Sequence, residues 1–108
     1  MTTIANPVLR GFHPDPCLCQ AHGKYYLATS TFQWVPAVSL YESDDLITWH
    51  SIGGALPDLD LRGVRDSAGV WAPDLSYDET NNLFWLTYTI AYQIDGVFKD
   101  VCNYVVTA

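Results

Sequence analysis

Two prolines bracket Asp15 in the run His13-Pro14-Asp15-Pro16. Proline fixes its own φ and biases the residue before it toward extended backbone, so Asp15 is expected on a stiff, extended stretch. A carboxylate held in one place ahead of a strand is suited to take a proton from water, the work of a general base. A plain turn aspartate beside proline has the same local sequence, and the residues alone leave both readings open. Trp71-Ala72-Pro73-Asp74 is the second constellation. Trp71 offers a flat apolar face, fit either for the C–H face of a sugar ring or for the core between two sheets. Asp74 reads as a turn cap. Phe32 and Trp34 flank Gln33, and alternation sets both on one face, as core or as the rim of a pocket. Asp100, in Phe98-Lys99-Asp100, reads by itself as a solvated turn residue ahead of a strand.

Other chemistries find less support. Cys17-Leu18-Cys19, with His13, His22 or Cys102, lacks the two- to four-residue spacing typical of paired zinc-binding cysteines. No elbow motif with a matched histidine marks a serine or cysteine nucleophile. Neither a metal site nor any other cofactor is expected from these residues. A net charge of −7 with only five Lys and Arg disfavours nucleic acid and an anionic membrane surface. No apolar run is long enough to span a bilayer, and MTTIANPVLRGF lacks the pattern of a secretory signal. Three cysteines, an odd count, suggest free thiols in a reducing compartment, so a cytoplasmic protein is expected.

The elements that must position these groups are strands. Turn signals recur at His22-Gly23, Ser43-Asp44-Asp45, Gly53-Gly54, Asp78-Glu79 and Asn81-Asn82, with short aromatic and β-branched runs between them. Strands are predicted near 16–21, 24–30, 37–43, 47–52, 72–77, 83–91 and 103–108, with a long loop over 53–69 and no helix. Sliding the chain by about 59 positions lays Pro14-Asp15 on Pro73-Asp74, and Tyr25-Tyr26-Leu27 on Phe84-Trp85-Leu86. Such a repeat fits four-stranded propeller blades, while an antiparallel sandwich stays open on pattern alone. A stack of blades needs at least about three repeats, and this chain holds fewer than two. Its final run, Val105-Val106-Thr107-Ala108, reads as an apolar strand, and the natural protein is expected to continue beyond it.

The stretch NPVLRGFHPDP resembles the opening of glycoside hydrolase family 43, especially its β-xylosidase branch. The likeness continues in order through KYYLATSTFQWVPAVSLYESDDLITWHSIGGAL, GVWAPDLSYD and FKDVCNYVVTA. Cys17 stands where the family often has serine, and Val101-Cys102 where a Gly-His pair is common. The resemblance implies an all-β, five-bladed β-propeller in the parent protein. This chain would supply blade one at about 14–52 and an incomplete blade two at about 70–108. It implies an exo-acting glycosidase that cleaves xylose or arabinofuranose units from oligosaccharides with inversion. By resemblance Asp15 is the general base, and Asp100 orients the general acid and tunes its pKa. Phe32 and Trp71 line the pocket for the terminal sugar. The acid itself is a glutamate on a later blade, with no match here, so the isolated chain is expected to be inactive. Ligands for a divalent cation at the propeller axis, as in some relatives, would also lie downstream. A non-catalytic carbohydrate-binding propeller and a truncated interaction fragment are the alternative readings.

Overall fold

The computed structural model describes residues 3–93, 95 and 100–108; the side chains of Gln93 and Asp100 are outside that description. Phe98 and Lys99, part of the predicted Asp100 motif, lie outside the described residues. Seven strands follow one another: β1 (Cys17–Ala21), β2 (Lys24–Ser30), β3 (Val38–Ser43), β4 (His50–Gly54), β5 (Gly69–Asp78), β6 (Leu83–Gln93) and β7 (Asp100–Thr107). They form two antiparallel meanders, β1-β2-β3-β4 and β5-β6-β7. No helix occurs among the described residues, as the sequence predicts.

Local chemistry sets the boundaries. His22 and Gly23 join β1 to β2 with φ of 52° and 73°, positive at both central positions as a type I′ hairpin requires. β4 begins three residues later than predicted because Asp45 builds a turn ahead of it. Its Oδ1 accepts from the Ile47 and Thr48 amides at 2.8 Å each and from the Ser43 hydroxyl at 3.1 Å. The Thr48 and Ile47 amides, chiefly, hold the Asp45 carboxyl below its ordinary range. β5 begins three residues earlier than predicted. Gly69 comes so close to the Phe32 backbone that a Cβ there would stand 2.4 Å from the Phe32 carbonyl oxygen. No side chain fits at that contact, so glycine is what lets the strand start there.

The sheets meet through β1 and β2 of the first against β5 of the second. Ala28, Val38, Val70, Leu75, Leu86 and Ile90 belong to one buried cluster, together with Cys19, Ala37, Leu61 and Tyr88. Each fully buried Val, Leu or Ile contributes about 1.5–3 kcal/mol, so this contact dominates what holds one sheet to the other. The thiol of Cys17 joins them as well. It donates to Asp74 Oδ1 at 3.1 Å and accepts from the Leu75 amide at 3.2 Å. Burial, above all, pushes that thiol up from its usual range and keeps it protonated as a donor. Asp74 therefore caps no turn, contrary to the sequence reading. It sits inside β5, opposite Thr87.

Candidate active site

Asp15 lies one residue ahead of the proline that precedes β1, with an exposed side chain. Its φ is 50°, in the left-handed region, which corrects the expectation of extended backbone. Proline after it disfavours the right-handed helical region. Aspartate is among the few non-glycine residues that visit positive φ. Two anchors hold it there. The Ser30 amide donates to the Pro14 carbonyl at 3.1 Å. On the other side, the pairing of Cys17 with Ala28 opens the β1–β2 ladder. His13 adds a third tie through ring contacts with Tyr41, whose ring lies 5.5 Å away edge-on.

The carboxylate meets the second sheet at a bulge. Trp71 pairs with Thr89 and Asp74 with Thr87, so three steps along β5 match two along β6. Ala72 and Pro73 occupy the irregularity. Pro73 has no N–H to give the ladder, and bulges are where a strand tolerates that. Ala72, at φ 39°, turns its amide away from the sheet and donates to Asp15 Oδ2 at 3.4 Å. This hydrogen bond is long by ordinary standards, as catalytic contacts in ligand-free sites often are. Oδ1 makes no hydrogen bond among the described residues and remains open to a water.

Both predicted aromatic residues reach the same end. Phe32 follows β2 and pairs with Val70 as an isolated bridge, at φ 53°, a strained value for a bulky residue. Trp71 is half-buried, and its Nε1 donates to the Ser67 carbonyl at 2.8 Å, which fixes the plane of the indole. Phe32 and Trp34 lie in a turn and not on a strand, so strand alternation does not place them. The amide of Trp34 donates to Thr31, and that of Ala37 to Trp34. Phe12, unremarked in the sequence, touches both rings, at 5.5 Å from Phe32 and 6.0 Å from Trp34.

The backbone of Asp100 opens β7 opposite Gln93, at the end of the sheet where β5 begins. Strand order β5-β6-β7 puts two spacings, roughly 10 Å, between β7 and the strand that carries Trp71. The structure thus brings Asp15, Phe32 and Trp71 together and gives Asp100 by its backbone alone. Among the described residues no group of three or more His, Cys, Asp or Glu is placed to hold a metal ion. A cavity of about 390 Å³ between the sheets, lined among others by Tyr26, Leu40, Phe84, Leu86 and Val106, shares none of these site residues and is mostly apolar. It is the gap between two sheet faces. No helix of the described residues is long and apolar enough to cross a membrane.

Comparison with known proteins matches this arrangement to one family. The family model described as "Glycosyl hydrolases family 43" covers residues 4–108. A curated "Beta-xylosidase" of Bacillus subtilis (strain 168) is 49% identical over 107 residues, spanning 96% of this chain and 20% of its own. A "Xylosidase/arabinosidase 43B" of Humicola insolens is 47% identical, over 100% of this chain and 20% of its own. The crystal structure of a xylan beta-1,4-xylosidase from Bacillus halodurans C-125 superposes with a TM-score of 0.91 at 46% identity, over 98% of this chain and 20% of that one. The chain thus spans about a fifth of the length of the relatives it matches.

Proposed function

Because the chain belongs to glycosyl hydrolase family 43, we propose that the protein carrying it removes terminal xylose or arabinofuranose units from xylan-derived oligosaccharides, with inversion. Its two meanders make it a partial propeller, one strand short of two four-stranded blades. In the full protein, residues 14–52 and 70–108 are read as the first blade and most of the second, within a five-bladed ring. The three cysteines are free thiols, which suits a reducing compartment, and the cytoplasm is proposed on that ground.

One observation carries the reading. An exposed carboxylate sits on a strained, anchored turn, at the sheet end where Phe32 and Trp71 also converge. The sugar's apolar faces would lie against the two aromatic rings. The Ala72 amide holds Oδ2 of Asp15, so Oδ1 is left to accept a proton from a water attacking the anomeric carbon. That water's oxygen bonds to the carbon as the glycosidic C–O bond breaks, and a general acid elsewhere in the protein protonates the leaving oxygen. Inverting geometry sets the acid and base roughly 6.5–9.5 Å apart, which leaves space for the water. The test is hydrolysis of aryl β-D-xylosides and aryl α-L-arabinofuranosides by the full-length protein, with the product anomer followed by NMR. Turnover with initial release of the opposite anomer is expected, and none from the 108-residue chain alone. Retention, or turnover by the short chain, overturns the reading. Saturable xylose binding that survives Asp15→Asn, with no hydrolysis at all, would make the protein a binding propeller instead.

Asp100 is assigned by family resemblance to orient the acid and raise its pKa by like-charge repulsion. Neutralising it as Asp100→Asn should lower the acid's pKa. Because the acid acts protonated, the alkaline limb of kcat/KM should then move to lower pH. A limb that stays in place removes Asp100 from that role.

A further inference from the structure

Ser30, at the end of β2, is fully buried, and both its amide and its hydroxyl are committed to the strand ends around Asp15. Its amide holds the Pro14 carbonyl at 3.1 Å, directly before Asp15. Its hydroxyl donates to the Val70 carbonyl at 2.5 Å, directly before Trp71, and accepts from the Phe32 amide at 3.0 Å. A hydroxyl has one proton to give and lone pairs to receive, and both directions are used. Phe32 and Val70 face each other as an antiparallel bridge, yet only one bond between them is direct, from the Val70 amide to the Phe32 carbonyl at 3.0 Å. The return bond runs through the oxygen of Ser30. At that point Phe32 leaves extended backbone for φ 53°.

From this we infer that Ser30 is a positioning residue of the site: its hydroxyl ties the strand ends that carry the two aromatic walls to each other, and its amide ties them to the segment that carries the general base. The inference rests on the hydrolase reading of the same site. Three backbone elements from two sheets must agree to within a fraction of an ångström for Asp15 to meet a water over a sugar held by Phe32 and Trp71. None of the three is bonded covalently to another nearby. Small errors in such geometry are expensive, since a misplacement of about 1 Å can cost on the order of 100-fold in rate. Removing the hydroxyl also takes a hydrogen-bond partner from the carbonyl of fully buried Val70 and from the amide of half-buried Phe32.

The test uses the full-length protein and an aryl β-xyloside, with xylose inhibition as a second readout of the pocket. Ser30→Ala should lower kcat/KM by about 10- to 100-fold and weaken xylose inhibition in parallel. Ser30→Thr, which keeps the hydroxyl oxygen, should recover most of both. A merely structural serine would lower the melting temperature and leave kcat/KM and xylose inhibition within twofold of wild type at temperatures where the variant is folded. That result overturns the inference. If Ser30→Ala does not accumulate as folded protein, Ser30→Cys decides. Its thiol is a poor donor and acceptor of nearly the same size, and at least a fivefold loss in kcat/KM is expected, whereas wild-type kinetics would refute the role. Absence of turnover by the wild-type protein would instead sink the hydrolase reading, so the two failures are distinct.

Discussion

Asp15→Asn in the full-length protein should cut kcat toward aryl β-xylosides by about 10²–10⁴-fold and leave the melting temperature unchanged. The substitution is close to isosteric. Asparagine tolerates positive φ as aspartate does, so the strained turn at φ 50° has no new cost. Its amide oxygen can still accept from the Ala72 N–H that now meets Oδ2. What is lost is the negative charge and with it the capacity to take a proton from water. The loss should therefore fall on kcat, with KM and xylose inhibition nearly untouched, because Phe32 and Trp71 remain in place. Kinetics and thermal melting on the same preparation check the split. A variant with kcat within threefold of wild type removes Asp15 as the base. A large fall in melting temperature would show that Asp15 serves the turn and not the chemistry.

Much of this geometry could be read from the residues, and the limits have physical causes. Alternating aromatic and β-branched runs fixed the two meanders because a strand's period of two is a local property. The misplaced ends of β4 and β5 were decided by contacts of different range. Asp45 gathers two amides within three residues, a signal that Ser43-Asp44-Asp45 carried but whose length was misjudged. Gly69 depends on Phe32, which no local pattern reveals. Pro14 and Pro16 correctly marked Asp15 as constrained. They gave the wrong conformation because the extended bias that a proline places on the residue before it is a local preference, which contacts distant in sequence overrode. That choice was made by the Ser30 amide and by Ala72, both distant in sequence. Ser30 itself read as one more residue of a predicted strand. Its only local sign was a run of small polar side chains, Thr29 and Ser30, closing a strand whose middle is aromatic and apolar. The residues alone offered the roles of base and pocket wall beside bland alternatives, and family resemblance chose between them.

Gly69→Ala is expected to damage the fold severely. Two penalties coincide at this position. Gly69 has φ of 89°, a conformation that a Cβ makes costly, and its added carbon would stand 2.4 Å and 2.6 Å from the Phe32 carbonyl and 2.8 Å from the Gln33 amide nitrogen. All three neighbours are backbone, so no side chain can swing aside. The bridge between Phe32 and Val70 must open, and the inter-sheet contact around Val70 opens with it. The expected loss is about 2–4 kcal/mol. Gly63→Ala supplies the control. Gly63 has a similar φ of 81°, but nothing lies within 4 Å of its added Cβ. It should show the backbone penalty alone, about 1 kcal/mol. Thermal melts of the two full-length variants therefore isolate the contact, since the conformational penalty is common to both. Equal losses would mean that β5 and the Phe32 turn are not held at this distance. A larger loss at Gly69, with reduced kcat/KM in whatever folded protein remains, would show that the closeness of the two sheets sets the position of the aromatic wall and not merely the stability of the core.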